Sequence, residues 1–411
     1  MALDPEELKL RRQERQAQRQ ARQQQRRSIR IRLLWAGIAV ALCGLVIFLV
    51  VKNAEDSRSD PGSTAAPSAK TVIHLAAAGD LNVTEKVVAS GGPDYDYTAA
   101  LMDVAPLLAN ADVSVLNLEG NFYGAPYGVD RSAPQSLADA LSRAGVDLVQ
   151  LANSYSIYKG TAGLSSTINA VRMAGMEPLG VYASTKEAKA GKGYTIRNVQ
   201  GIRIAFVAFT KGMDGMALPP GSEGCVNVLY QDYSTDYQKI DTEAITKVLD
   251  AVARERPDLT VALLHWGSEF NDNLSKTQTS ICMLMQEKGV DAIIGTHSHY
   301  VQKMEYNAQT GTFVAYSLGD FFSDAARAGS EYSVVLDLEI TKDNRSGQTK
   351  ITGYSYTPIF SVVEPGKPSR VVRIAETMQA YREGYIERVS DQVYHDMEYA
   401  LKRIEARVKG Q

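Results

Sequence analysis

From Thr71 onward, short apolar runs alternate with segments whose apolar residues recur at helical spacing. The runs are nearly continuous in apolar residues, as expected for strands buried on both faces of a sheet. The alternation predicts an α/β fold with helices covering the sheet. The predicted strands are Val72–Ala77, Val113–Leu116, Leu148–Leu151, Ile202–Phe209, Leu259–Leu264, Ala292–Ile294 and Phe313–Ser317, and the predicted helices are Thr98–Ala109, Gln135–Ala144, Gly163–Ala174, Thr242–Arg256 and Lys276–Glu287.

The last part of the chain has a different pattern. Tyr332–Ile340 and Lys350–Val363 are longer and alternate in polarity, which predicts an antiparallel sheet packed beside the first. The apolar spacing over Ile374–Val408 predicts a helix that packs through one stripe. We therefore expect an α/β domain over 71–365 and a helical extension over 366–411.

The N-terminal segment is built differently from the body. Leu33–Val51 is nineteen residues without a charge, long enough to cross the hydrocarbon core of a bilayer as a helix. A buried core helix and a cleaved signal peptide are the alternatives, but the polar flanks and the long charged stretch before it favour an uncleaved anchor. The positive residues precede the span, which places 1–32 in the cytoplasm and the rest outside the cell. Residues 52–70 are small and polar and predict a flexible linker.

The charge distribution limits the choice of partners. Apolar residues make up 45% and charged residues 22% of the 411 residues, which is ordinary for a globular protein. The net charge is −3, but residues 1–32 hold ten Lys or Arg against four acids. The rest of the chain therefore carries −9, which disfavours binding to a nucleic-acid backbone. The basic tail fits a segment beside anionic lipid. Of the three cysteines, only Cys225 and Cys282 could pair outside the cell, and their spacing does not require it.

Polar residues gather where the predicted strands end, which is where α/β folds usually place their chemistry. The chain has five histidines, and three of them follow predicted strands. His74 lies within a strand and is expected in the core, and His395 lies on the terminal helix and is expected to be exposed. Imidazole and carboxylate together suit Mn, Zn or Fe, and two such cations can act on one phosphoester. The strand-end candidates for metal ligands are Asp80, Glu119, His265, His297 and His299.

These motifs together resemble the CapA-type proteins of poly-gamma-glutamate capsule biosynthesis, within the calcineurin-like metallophosphoesterase superfamily. The resemblance covers about 72–322 and depends on the order and spacing of several elements rather than on any one. The elements are GDL at Gly79, NLEG at Asn117, HWGSEF at His265, Gln278, GTHSHYVQ at Gly295 and YSLGDFF at Tyr316.

The resemblance implies a four-layer α/β sandwich, with two mixed sheets flanked by helices, and a cluster of one or two divalent cations at the strand ends. Asp80 would be the first metal carboxylate, Glu119 the bridging carboxylate, and His265 a further ligand. His297 and His299 would bind one metal each. Asn82 occupies a position where the superfamily often has histidine, so it would be a weak ligand. Glu269 matches an acidic residue that follows the HWG motif and is a catalytic candidate.

One element departs from the family pattern of Asn-Asn-His followed by Asp. Here it reads Asn153-Ser154-Tyr155, and Tyr158 replaces the Asp. Ser154 and Asn153 would be weak ligands at best, and Tyr155 takes the position of the proton donor. A phenol with a pKa near 10 transfers protons poorly at neutral pH, and losing a general acid typically costs about 10² to 10⁴ in rate.

Three interpretations remain open. The first is a membrane-anchored, externally facing protein of capsule biosynthesis or export, which holds or guides an anionic polymer beside synthase or export subunits. The second is an active metal-dependent hydrolase of a phosphoester or surface polymer. The third is a surface domain with another ligand. An acidic body repels a polyanion, so a metal or a local basic patch would have to overcome that repulsion. The long segment Gly212–Gln238 is expected near the mouth of the cleft.

Overall fold

The computed structural model describes residues 69–385 and 389–411. The predicted cytoplasmic tail over 1–32, the predicted anchor Leu33–Val51 and nearly all of the linker over 52–70 lie outside these ranges. In the described part of the chain, no helix combines the length and the apolar character needed to cross a bilayer.

The described residues form fourteen strands and ten helices. The strands are β1 (Lys70–Asn82), β2 (Val113–Glu119), β3 (Leu148–Gln150), β4 (Glu177–Leu179), β5 (Tyr194–Val199), β6 (Ile202–Thr210), β7 (Leu259–His265), β8 (Ala292–Thr296), β9 (Met304–Asn307), β10 (Thr312–Ala315), β11 (Asp320–Phe322), β12 (Tyr332–Asp343), β13 (Thr349–Val362) and β14 (Arg370–Arg373). The helices are α1 (Glu85–Ala89), α2 (Thr98–Leu101), α3 (Ala105–Ala109), α4 (Gln135–Arg143), α5 (Gly160–Met173), α6 (Thr185–Gly191), α7 (Thr242–Glu255), α8 (Lys276–Glu287), α9 (Ile374–Arg382) and α10 (Asp391–Val408).

The strands form two mixed sheets. In the first, the order is β14-β13-β12-β1-β2-β3-β4, and β11 pairs with β1. Strands β1 to β4 are parallel, whereas β12 to β14 run antiparallel. In the second sheet the order is β5-β6-β7-β8-β10-β9, with a parallel centre from β6 to β10 and antiparallel edges.

Alternation along the central strands produces the layers. In β1, Leu75 and Ala77 belong to a buried cluster between the sheets, while Ala76 and Ala78 face helices α1 to α5. Strand β7 likewise turns Val261 toward the first sheet and its alternate residues toward α7 and α8. The four-layer α/β sandwich, two mixed sheets flanked by helices, is therefore confirmed for the described residues.

Several predicted elements need correction. The late strands β12 to β14 do not build a separate sheet, because β12 pairs with β1 and extends the first sheet. The predicted helix Thr98–Ala109 is two short helices, and Pro106 lies in the first turn of the second, where its missing N–H is tolerated. The predicted helix Ile374–Val408 is also two, α9 and α10, and Ser390 caps the start of α10.

A close approach between β1 and β11 shapes the edge where the polar residues gather. A Cβ added to Gly79 would lie 1.8 Å from the carbonyl oxygen of Gly319, so only glycine allows the two strands to meet there. The backbone N–H of Asp80 donates to that carbonyl at 3.0 Å. Asp80 and Asp320 consequently lie side by side in the strand register.

Candidate metal centre

The structure brings the five sequence-predicted metal ligands together with Asp320 at the strand ends. Two sets of three side chains each offer ligand atoms that lie within 4.8 Å of one another. We call Glu119, His265 and His297 the first ligand group, and Asp80, His299 and Asp320 the second ligand group. All six residues are buried. The groups adjoin each other, since Asp80 Oδ1 lies 3.9 Å from His265 Nδ1 and Asp80 Oδ2 accepts from the backbone N–H of His297 at 2.9 Å.

The first ligand group has atoms without hydrogen-bond partners. His265 Nε2 lies 3.0 Å from Glu119 Oε1, and the rings of His265 and His297 are 4.5 Å apart. The contact between His265 and Glu119 does not have hydrogen-bond geometry, so Glu119 Oε1 has no hydrogen-bond partner among the described residues. His297 Nδ1 is likewise buried without a partner among them. Leaving such atoms unpaired is costly, and a cation between them would satisfy both.

Burial sets the protonation of this group. It lowers the pKa of His265 to about 4 and that of His297 well below its ordinary value, and it raises the pKa of Glu119. Both imidazoles are therefore neutral at pH 7, which is the form that binds metal ions.

Two members of the second ligand group, His299 and Asp320, contact each other directly. His299 Nδ1 lies 2.7 Å from Asp320 Oδ1. Burial opposes a charge on His299, but Asp320 outweighs it and raises the pKa of His299 to about 12. Burial, followed by the neighbouring Glu119 carboxylate, raises the pKa of Asp80 to about 7. Without a cation, this group therefore carries an imidazolium held by a carboxylate.

The turn after β8 holds its histidines in an unusual backbone conformation. His297 has φ 91° and His299 has φ 59°, which L residues with a Cβ rarely adopt. Between them, Ser298 Oγ donates to the carbonyl of Tyr300 at 2.7 Å and so ties the turn together. Such conformations persist where the surrounding structure enforces them and are concentrated at functional sites.

Sequence reasoning missed three contributors to the site. Asp320 lies in the YSLGDFF motif, and an acid that follows a predicted strand is itself a signal of a site residue. Asn117 donates through Nδ2 to Asp80 Oδ1 and accepts from Asn153 Nδ2 at 3.1 Å, so it links neighbouring strand ends. Thr296 Oγ1 lies 3.0 Å from His265 Nδ1 and orients that ring.

The departing element Asn153-Ser154-Tyr155 lies against the first ligand group. Asn153 Nδ2 also donates to the carbonyl of Leu118 at 2.6 Å, and its Oδ1 accepts from the N–H of Tyr155 at 3.0 Å. The Asn153 amide thus holds the loop in place. Ser154 Oγ lies 3.1 Å from His265 Nε2, so among these three residues it is Ser154 that reaches a predicted metal ligand.

Arg131 forms hydrogen bonds with both Tyr155 and Asn82. Its guanidinium donates to the Tyr155 hydroxyl at 2.8 Å and to Asn82 Oδ1 at 3.4 Å, and it lies 4.3 Å from the centre of the Tyr155 ring. Burial raises the pKa of Tyr155, so its phenol stays protonated at neutral pH. The side-chain oxygen of Asn82 therefore serves as the acceptor of a hydrogen bond from the Arg131 guanidinium.

Glu269 lies at the open side of the second ligand group. Its Oε1 is 4.0 Å from His299 Nε2, and about half of its side chain is exposed. The nearby His299 lowers the pKa of Glu269, so Glu269 is a carboxylate at neutral pH. Glu269 and His297 line a cavity of about 250 Å³ together with Ser154, Lys211 and Tyr237. The segment Gly212–Gln238 therefore does border the cleft.

The remaining candidates lie elsewhere. His74 is half exposed rather than in the core, and it bonds Asp337 through Nδ1 at 2.9 Å. His395 is exposed, as predicted. Cys225 and Cys282 are both buried and free.

Comparison with known proteins identifies the relatives of this chain. Residues 74–325 match the family of the bacterial capsule synthesis protein PGA_cap. The chain is 24% identical to the capsule biosynthesis protein CapA of Bacillus anthracis over 307 residues, covering 73% of this chain and 69% of the relative. It is 23% identical to the PGA biosynthesis protein CapA of Bacillus subtilis strain 168 over 302 residues, covering 71% and 74%.

Solved structures show a more distant similarity. The calcineurin-like phosphoesterase YfkN of Bacillus subtilis aligns with 81% of this chain and 99% of the solved chain, at 16% identity and a TM-score of 0.43. A phosphatase of Mycoplasma pneumoniae aligns with 71% and 94%, at 12% identity and a TM-score of 0.42.

Proposed function

Because the chain belongs to the PGA_cap family of bacterial capsule synthesis proteins, we propose that it serves the biosynthesis or export of a capsule polymer such as poly-gamma-glutamate. Leu33–Val51 would anchor it in the cell membrane, with the folded domain on the outer side and the basic tail over 1–32 in the cytoplasm. In that position the domain would work beside the subunits that make or export the polymer.

A divalent metal centre at the strand ends is part of this proposal, and the convergence of the two ligand groups is the observation that carries it. The residues fit such a centre, because Glu119 Oε1 and His297 Nδ1 are buried atoms able to bind a metal ion, and no described residue forms a hydrogen bond with either. Imidazole and carboxylate ligands suit Mn, Zn or Fe, and two groups make room for one or two ions. Such ions supply Lewis-acid polarisation of an ester or amide oxygen.

The residues around the ligand groups favour binding of the polymer over rapid cleavage. Tyr155 occupies the position of the expected proton donor, yet its phenol accepts a hydrogen bond from Arg131 and its pKa is raised. A leaving group would therefore gain little from proton transfer. Arg131 and Lys211 supply positive charge at the cleft of an otherwise acidic domain, which reduces its repulsion of a polyanion.

An active hydrolase of a phosphoester or surface polymer is the second candidate. The observation that favours it is that all five predicted ligands and Asp320 lie within coordination reach. The open Glu269 carboxylate near His299 is a candidate base at the site.

Metal content and turnover of the full-length protein in detergent test the proposal. We expect one to two equivalents of Mn, Zn or Fe, slow turnover of bis(p-nitrophenyl) phosphate, and loss of metal in His297→Ala. The exposed histidine variant His395→Ala is the matched control and should keep the metal. A wild-type protein that binds no divalent metal would contradict the metal centre, whereas fast turnover would favour the hydrolase.

Tyr155→His tests why turnover is slow. Restoring an imidazole should raise the turnover rate by about 10² or more if a proton donor is the missing part. Tyr155→Phe should leave the rate unchanged. No turnover in the metal-loaded histidine variant would leave polymer binding as the function of the site.

A further inference from the structure

The cavity beside the first ligand group contains a lysine that the proposed function has not yet assigned. Lys211 follows the end of β6, and its backbone N–H donates to the carbonyl of His265 at 2.8 Å. This bond ties Lys211 to the end of β7, the strand that carries a predicted metal ligand. The lysine therefore reaches the cavity from a rigid sheet edge rather than from the middle of the long segment.

The contacts of the Lys211 ammonium hold it in place without a direct ion pair to a carboxylate of the described residues. Nζ donates to the carbonyl of Gly267 at 2.9 Å and lies 4.5 Å from the centre of the Tyr237 ring. An ammonium has three donors, and no ion pair within 4.0 Å joins this one to a carboxylate of the described residues. Asp214 and Glu269 do line the same cavity, and Glu269 acts on the ammonium only at longer range. The nearby Glu269 is instead 4.0 Å from His299.

A purely structural role does not account for this arrangement. Packing over Tyr237 needs only an apolar chain, and desolvating an ammonium costs free energy that one carbonyl offsets incompletely. Three residues with hydroxyl groups, Ser154, Tyr237 and Ser268, line the same cavity, as does His297. A cation with free donors, hydroxyl groups and an adjoining metal-ligand set together form a site for an anionic oxygen group.

We propose that Lys211, with Ser154 and Tyr237, forms a subsite that binds a carboxylate or phosphate group of the substrate beside His297. This inference rests on the proposed function and adds the position of substrate charge. Lys211 would bind the anion directly and orient the neighbouring bond toward the ligand groups. The segment Gly212–Gln238 would then act as the wall of the subsite, since Tyr237 near its end stacks against the lysine.

The test measures binding to the metal-loaded, full-length protein in detergent by calorimetry. One arm uses a short γ-linked glutamate oligomer, and the other uses inorganic phosphate. We expect Lys211→Met to weaken binding about tenfold, as for loss of a hydrogen bond to a charged group. Lys211→Arg should stay within about threefold of wild type. Lys239→Met removes the same charge from an exposed lysine and should change nothing.

The arms identify the anion, because an effect confined to the glutamate oligomer assigns a carboxylate and one confined to phosphate assigns a phosphate. Unchanged binding of both probes in Lys211→Met would overturn the proposal, and so would a loss of metal or of thermal stability that explains the weakening. Should Lys211→Met fail to fold, Lys211→Gln and Tyr237→Phe are measured instead against the same limits. Failure of the proposed function would give a different result. The wild-type protein would then bind no metal, while binding of the probes that depends on Lys211 would persist.

Discussion

The two ligand groups use similar side chains but have opposite electrostatic states. In the first ligand group, burial keeps His265 and His297 neutral, and Glu119 Oε1 and His297 Nδ1 have no partner among the described residues. In the second, His299 is an imidazolium that Asp320 holds at 2.7 Å. The first group is therefore ready for a cation, whereas the second must first lose a proton.

The difference shows that residue type alone does not define a metal site. A histidine beside a buried carboxylate is stabilised in the form that cannot bind a metal through the protonated nitrogen. The same carboxylate orients the ring and strengthens its other nitrogen as a ligand once the proton is gone. We expect the first group to bind its cation more tightly at neutral pH than the second.

Removal of His265 should have the largest effect. His265 contacts Glu119, Ser154 and Thr296, so His265→Ala removes one ligand and the alignment of the others. We expect affinity at the first group to fall by more than about 100-fold, measured by competition with a chelator. Equal losses of affinity at both groups would contradict the assignment of His265 to the first group, and His395→Ala serves as the control.

Asp320→Asn should have the next largest effect. The amide keeps the size of the side chain but removes the charge that holds His299. We expect affinity at the second group to fall about 10- to 100-fold while the first is unchanged, in the same competition measurement. A fall confined to the first group would reverse the assignment of Asp320.

Proton release should distinguish the groups in the wild-type protein. At pH 8 the first cation should bind with little proton release, because both of its imidazoles are already neutral. The second should release about one proton, since the pKa of His299 is raised to about 12. Calorimetry in two buffers of different ionisation enthalpy counts the protons. Proton release with the first cation instead would mean that the order of binding is reversed.

The stability of the metal-free protein should also depend on pH, through Asp80. The pKa of Asp80 is raised from 3.8 to about 7 in the folded state, so its stabilising contribution is present below 3.8 and is lost as pH rises through about 7. With chelator present, the free energy of unfolding of wild type relative to Asp80→Asn should fall between pH 4 and pH 7. Denaturant unfolding measures this free energy. If the stability of wild type relative to Asp80→Asn rose with pH instead, the raised pKa of Asp80 would be refuted.

The positions of the site residues could be predicted because they follow apolar runs. Asp80, Glu119 and His265 each come at the end of a buried strand, and parallel strands end at one edge. The role of Asp320 could not be predicted in this way. It depends on β11, a strand of three residues without a detectable periodicity, and on its pairing with β1 beside Gly79.

The local sequence pattern also did not indicate the hydrogen-bond partners of the polar side chains. Nothing near Asn153 indicates that its amide bonds Leu118 and Asn117, because those residues lie more than thirty positions away. The late strands alternate as predicted, but their pairing with β1 is a long-range choice that alternation does not encode.

The sequence by itself determined the central strands and the longer helices, which residues follow those strands, and the family to which the chain belongs. These properties depend on local periodicity and on the spacing of motifs along the chain. Only the tertiary structure decided that His299 pairs with Asp320, that His297 Nδ1 finds no hydrogen-bond partner among the described residues, and that Lys211 lines the cavity. Burial and charge act through distances in space, so residues far apart along the chain decide the protonation of each site residue together.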